Sequence, residues 1–173
     1  IETYDFASAS ERDFWVHLNL SPQEVSDTDH LRDMVGELMA CANRGVEWRF
    51  EVTESQWVSK DFDPEPLDRD GIGLVIDDFG KGYSSLGRLA DIPCDGLKLD
   101  RQFVLDVHVD EDHRALVQIV SELGDLLDVP VVAEGVETEQ ALEVVREAGV
   151  QIGQGFYFAR PAPFSELKSR LEG

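Results

Sequence analysis

An α/β fold of parallel strands covered by helices is predicted by three observations. Six short β-rich runs recur along the 173 residues. Segments with apolar residues at helical spacing separate several of them. The runs begin at positions 16, 49, 73, 96, 129 and 152, at fairly even intervals, with no break where the strand order would reverse. Parallel strands need a long crossover, which is usually a helix. Even spacing favours a barrel over an open sheet. A complete TIM-type barrel has eight units in roughly 250 residues. The expected architecture is therefore a TIM-like βα barrel that is incomplete, with six of about eight βα units present.

VHLNL (16–20) is the first run, and Leu31, Met34, Val35, Leu38 and Met39 give the following helix its apolar face. Gly45 stands where a left-handed C-terminal cap is expected. RFEVT (49–53) is the second run. The crossover after it, QWVSKDFDPEPLDRD (56–70), carries Pro64 and Pro66. Proline removes a helical hydrogen bond and clashes with the preceding turn, so any helix there is short. GLVID (73–77) and GLKLD (96–100) are the third and fourth runs. Leu116, Ile119, Val120 and Leu123 then mark a helix, and VPVVAEG (129–135) is the fifth run. Ala141, Val144, Val145 and Ala148 mark the last helix, closed by Gly149 before the sixth run, IGQGFYF (152–158).

Length and a hydrophobic content of 42% fit one globular domain with its own core. The 36 acidic and 15 basic residues give a net charge of -21, with no cluster of Lys and Arg. Docking on DNA, RNA or an anionic membrane surface is disfavoured by that field. So acidic a surface also reads as salt adaptation. Cys41 and Cys94 sit in apolar segments without the paired spacing of zinc sites or disulfide frameworks, so a reducing cytoplasm is the expected setting. No apolar stretch approaches the roughly 20 residues needed to cross a bilayer, and IETYDFASASERD is not built as a signal peptide. The first residue is Ile, so the natural protein is expected to begin further upstream.

Every predicted strand ends in residues that are costly to bury alone: Asn19; Glu51 and Glu54; Asp77 and Asp78; Lys98 and Asp100; Glu134 and Glu137; Gln154. In a parallel barrel the carboxyl ends converge on one mouth, where such folds carry out chemistry. Carboxylates meeting there repel unless cations lie among them. Hard oxygen ligands suit Mg²⁺ or Mn²⁺ better than zinc. Adjacent strand residues face opposite sides, so Asp77 and Asp78 reach the mouth together only if the chain bends, which Gly80 and Gly82 would permit. One carboxylate could then bridge two ions.

Local roles compete with this reading. Asp78 alone reads as the cap of a helix opening near Tyr83. Lys98 and Asp100, two apart on one strand face, read alone as an ion pair. Thr138 is a helix cap, and Glu137 also reads as first-turn decoration of the helix dipole. His17 shares a strand face with Asn19, and the plainer reading is a satisfied core or rim histidine. Joint placement at six strand ends is what local roles explain poorly. Asp78, Phe79 and Gly80 spell the kinase metal-binding tripeptide, but no glycine-rich nucleotide loop or HRD loop precedes them.

The strings NLSP (19–22), EVTES (51–55), DDFGKGYSSL (77–86), LKLDRQFV (97–104), AEGVET (133–138) and QGFYFARP (154–161) resemble, in order and separation, the EAL domain family. Its members are phosphodiesterases, or degenerate relatives, acting on the bacterial second messenger cyclic di-GMP. The resemblance runs from about Phe14 almost to the C-terminus and makes residues 1–173 an EAL-type domain. It implies hydrolysis of cyclic di-GMP to linear pGpG by a two-metal mechanism with Mg²⁺ or Mn²⁺. Asn19, Glu51 and Asp77 would hold one ion, and Asp77, Asp78 and Glu134 the second. Lys98 would contact the attacking water and the reacting phosphate, with Glu134 and Asp100 in the same catalytic cluster. Gln154 would position the substrate, while Glu54 and Glu137 would support the metal-site loop and its surroundings.

Departures from the family are as specific. The Glu-Ala-Leu stretch that names the family is absent, and the resemblance places it upstream of residue 1, so the domain is expected to be N-terminally truncated. Lys81 stands where Thr is commoner, and the 56–70 segment is shorter. A degenerate module that binds cyclic di-GMP or a protein partner in signalling is the alternative function. The expected partners are cyclic di-GMP and, at the level of domains, a second copy or other EAL or GGDEF-type signalling domains, with no nucleic acid polymer and no membrane insertion.

Overall fold

Alternation along each β-rich run sends one set of side chains under the helices and the other to the opposite face of the sheet. The computed structural model describes residues 14–41, 46–60, 62–81, 94–163 and 166. Strands β1 (Phe14–Asn19), β2 (Val46–Thr53), β3 (Ile72–Phe79), β4 (Gly96–Leu99), β5 (Val131–Glu134) and β6 (Ile152–Gln154) form one sheet in sequence order, every pair parallel. Residues of β1 and β6 line a common cavity, so the sheet is curled into a half-barrel. Among the described residues the two edge strands do not pair with each other.

The core lies on the convex face. Phe50, Val52, Ile76, Leu97, Leu99, Val131 and Ala133 are buried there with residues of the covering helices. These helices are α1 (Pro22–Ser26), α2 (Thr28–Cys41), α3 (Glu54–Trp57), α4 (Arg101–Val104), α5 (Glu111–Leu127) and α6 (Glu139–Glu147). Burying one such aliphatic or aromatic side chain contributes about 1.5–3 kcal/mol, which fixes the register, since a slip by one residue would turn the whole apolar set outward.

The apolar arcs are narrower than the sequence suggests. In α5 the buried face is Val117, Val120, Ser121 and Gly124, which leaves Leu116 and Leu123 on its flanks and Ile119 61% exposed. In α2 the buried face centres on Leu31 and Val35, and Met39, on the flank of that stripe, is 37% exposed. Among the described residues the proline-bearing crossover holds α3 and a 3₁₀ turn at Glu65–Leu67, so its helix is short as expected. Three short helices follow strand ends directly, each opened by a capping side chain: Ser21 before α1, Thr53 before α3 and Asp100 before α4.

The sixth strand is shorter than its run. It stops at Gln154, because Gly155 packs so tightly on the Val136 main chain that a Cβ there would overlap it. The Tyr157 N–H donates to the Val136 carbonyl at 3.0 Å, the chain turns, and Phe156, Tyr157 and Phe158 are exposed. Gly149 closes α6 at φ +92°, as a left-handed cap should. Gly45, Gly82 and the helix expected near Tyr83 lie outside the described residues. Among the described residues no helix is long and apolar enough to cross a membrane.

Candidate active site

The concave face carries polar side chains at its carboxyl end. In register, Asn19 faces Glu51 across β1 and β2, and Glu134 faces Gln154 across β5 and β6. Asp77 and Lys98 occupy the same face of β3 and β4, and all six line one cavity of about 590 Å³. Lys98, 4% exposed, is its centre. The Lys98 Nζ lies 2.6 Å from Glu134 Oε1, 2.8 Å from Glu51 Oε2 and 3.3 Å from Asp77 Oδ1. Burial opposes the Lys98 charge, but hydrogen bonds to Glu134 and Glu51 outweigh it and hold the ammonium well above the usual lysine range.

The carboxylates respond unequally to one ammonium. Glu51 is also touched by His17, whose Nδ1 lies 2.6 Å from its Oε1. Burial pushes Glu51 up, yet His17 and Lys98 together hold it below the ordinary glutamate range. Among the described residues Glu134 has Lys98 as its one cationic partner, and burial, reinforced by the charges of Asp77 and Glu51, keeps its carboxyl above that range. His17, which the sequence presents as a rim histidine, is thus a partner of a site carboxylate. Its spacing two residues before Asn19 is the signal that places it on this face.

Two adjacent aspartates are accommodated by one extra residue in β3. Ile76 pairs with Leu97, but Phe79 pairs with Leu99, so the ladder skips a position. Asp78 is that position, at φ +56°, a left-handed conformation that aspartate tolerates better than most residues. The bend therefore lies at Asp78 itself as well as at Gly80, φ +98°. The Asp78 N–H donates to Asp77 Oδ1 at 2.9 Å.

Asp78 and Asp100 form a second cluster around Lys81. The Lys81 Nζ lies 2.8 Å from Asp78 Oδ1 and 2.6 Å from Asp100 Oδ2. Lys98 and Asp100 are thus not paired with each other, because Asp100 lies beyond the end of β4, where its other oxygen accepts the Gln102 N–H. Burial raises the Asp100 carboxyl, but Lys81 and that N–H hold it below the ordinary aspartate range. In sequence Lys81 stands out as a departure from the family, where Thr is commoner, but its pairing with Asp78 and Asp100 is not legible there.

The remaining residues flank the cavity. Glu54 is buried, and its Oε2 accepts the Gly80 N–H at 3.3 Å, which ties the start of α3 to the turn after β3. Glu137 Oε1 accepts from Arg101 at 2.9 Å, beside the Thr138 cap of α6.

The oxygen-rich donor set of Asn19, Glu51, Asp77, Asp78 and Glu134 fits a hard divalent cation chemically. As the side chains stand, no three His, Cys, Asp or Glu groups among the described residues are arranged to hold one. Lysine ammonium groups hold the carboxylates together instead.

Comparison with known proteins shows the family and the fold. The sequence model of the EAL domain matches residues 3–161. MucR of Pseudomonas aeruginosa, a bifunctional diguanylate cyclase/cyclic di-GMP phosphodiesterase, is 43% identical over 160 residues, covering 90% of this chain and 23% of MucR. The chain spans about a fifth of the length of such curated relatives. The EAL domain of Mycobacterium smegmatis DcpA superposes with a TM-score of 0.84 at 30% identity, covering 99% of this chain and 79% of that one. A manganese and cyclic di-GMP complex of Klebsiella pneumoniae BlrP1 superposes at 0.78 with 32% identity, covering 93% of this chain and 43% of that one. The half-barrel is a TIM-like fold shared with these domains, and with a match that runs through all six polar strand ends the chain belongs to the EAL domain family.

Proposed function

We propose that this chain is the larger part of a cyclic di-GMP phosphodiesterase domain that hydrolyses cyclic di-GMP to linear pGpG with two divalent ions, Mg²⁺ or Mn²⁺. The observation that carries the reading is the buried Lys98 ammonium among Glu51, Asp77 and Glu134 at the mouth of a parallel half-barrel. Asn19, Glu51 and Asp77 would hold one ion, and Asp77, Asp78 and Glu134 the other. Bound there, the ions would acidify water and offset charge on the phosphoryl oxygens.

The chain's own residues supply the rest. Lys98 keeps a positive charge at the cavity floor at every working pH, suited to a phosphate oxygen that gains charge in the transition state. Glu134, 2.6 Å from Lys98 Nζ and lining the same cavity, would act with Lys98 in the catalytic cluster as well as hold the second ion. Gln154, on the neighbouring strand and lining the same cavity, would orient the dinucleotide. Asp100 would act within the same polar cluster. In its parent protein the domain would work in the cytoplasm beside signalling partners, as a homodimer or with GGDEF-type domains, with two further βα units completing the barrel.

A non-catalytic module that binds cyclic di-GMP or a protein partner is the second reading. It is favoured by the convergence of Glu51, Asp77 and Glu134 on a lysine with no ready-made metal cage among the described residues. Chromatography of pGpG after incubation with cyclic di-GMP and Mn²⁺, with Glu134→Gln as control, separates the two. Product that vanishes in the control supports the enzyme. Folded protein that binds cyclic di-GMP without product supports the module.

A further inference from the structure

Two carboxylates that converge on one point need a cation there, because like charges at that range repel. Asp78 and Asp100 meet in this way at Lys81 Nζ. Asp100 is not free to turn aside: its side chain is 7% exposed, with Oδ1 held by the Gln102 N–H at 2.9 Å. The β3 bulge fixes the Asp78 backbone beside it, at φ +56°. Lys81 is the movable member: its side chain is 46% exposed, on a flexible stem that can swing into water.

We propose that Lys81 is a tethered competitor for the second divalent ion, neutralising Asp78 and Asp100 while metal is scarce and withdrawing when an ion binds, so that it sets the metal concentration at which the site fills. This rests on the reading of Asp78 as a metal ligand. Lys81 would thereby act as an occupancy-determining residue for the same reaction, through its charge and not through contact with substrate. Because the pair is partly exposed, its displacement weakens binding of the ion by a modest factor, about tenfold.

The test is titration of the full chain with Mn²⁺, followed by electron paramagnetic resonance of the free ion. Lys81→Met keeps the stem and removes the charge, Lys81→Gln is a second neutral variant, and Lys81→Arg keeps the charge. The weaker of the two Mn²⁺ affinities should tighten about tenfold in the neutral variants and stay near that of the unmodified chain in Lys81→Arg. Circular dichroism of the same samples checks the fold. Unchanged or weaker affinity in the neutral variants, with binding lost in Asp77→Asn, overturns the role of Lys81 and leaves the metal-site reading standing. No Mn²⁺ binding by any form at millimolar metal overturns that reading and this proposal with it.

Discussion

Lys98 Nζ and Glu134 Oε1 lie 2.6 Å apart between neighbouring strands β4 and β5, and the contact completes a cluster in which one buried ammonium serves three carboxylates. Such a lysine has two tasks. It offsets the repulsion that would otherwise separate Glu51, Asp77 and Glu134, and in the proposed hydrolysis it would also provide charge beside the phosphate.

Replacing Lys98 by Met should therefore destabilise the metal-free protein by about 3–5 kcal/mol, the usual consequence of stripping one partner from buried charges. Mn²⁺ should restore part of the loss by supplying another cation to the same oxygens, and should raise the melting temperature of the variant more than that of the unmodified chain. Thermal melts with and without Mn²⁺ measure both. An equal loss under both conditions would contradict the idea that ammonium and metal answer the same repulsion.

The unequal carboxylates predict a stability curve with a maximum on the acid side. Glu134 titrates above its ordinary value of 4.5 in the folded chain, so it adds stability as pH falls through its folded value and loses it as pH rises again. Glu51 and Asp100 lie below their ordinary values of 4.5 and 3.8, so their contribution is full above those values and disappears as pH falls through the depressed ones. Metal-free melting temperature should rise as pH drops from neutrality toward the ordinary glutamate value of 4.5, and fall as pH goes lower still. Glu134→Gln should flatten the rise and keep the fall. A variant with the same rise would remove Glu134 as its source.

Six strands in order and the gathering of Asn19, Glu51, Asp77, Lys98, Glu134 and Gln154 on one face were legible in the sequence, because period-two alternation and even spacing are local signals. The partners of these residues were not legible. That Asp100 pairs with Lys81, and His17 with Glu51, depends on where a helix begins and on which strand lies alongside, facts the chain acquires only on folding. The short helices α1 and α4 were not legible, and α3 only as a short helix in the crossover, because each is four or five residues long, set by its cap or capping box, with no periodicity to read. Phe156 to Phe158 looked like strand because β propensity is high in aromatics, and the turn that overrides it comes from the close approach of Gly155 to Val136.

The bulge at Asp78 separates backbone from side chain by substitution. Asp78→Gly should keep the melting temperature within a degree or two, as glycine takes the left-handed conformation without strain. Asp78→Val should cost about 1–2 kcal/mol or more, since a β-branched residue at positive φ is strained. Denaturant unfolding of the pair tests this, and equal stability of the two variants would place the constraint elsewhere.

Gly155→Ala should be more damaging than its size suggests. The added methyl would press into the Val136 main chain, between the end of β5 and the cap of α6, and would have to push β6 outward. Overpacking of this kind costs about 1–3 kcal/mol. Because Gln154 is the preceding residue and Glu137 follows Val136, the displacement should also weaken binding of cyclic di-GMP if Gln154 positions it. Calorimetry and melts together check the prediction, and normal values of both would mean the turn relaxes freely.

The charge of -21 gives a final prediction that separates the surface from the site. Exposed carboxylates repel over distances comparable with the Debye length, which shrinks from about 10 Å at 0.1 M salt to about 3 Å at 1 M. Folding concentrates these charges, so screening favours the compact state, and the melting temperature should climb as KCl is raised over that range. Exposed pairs such as Arg32 with Asp29 weaken with salt and act in the opposite direction, but each contributes little. The buried Lys98 cluster is scarcely screened, so the Lys98→Met deficit should persist in 1 M KCl while the overall stability rises. A deficit that vanishes with salt would show that the cluster is open to ions, and a melting temperature indifferent to KCl would show that the surface acidity has no bearing on folding.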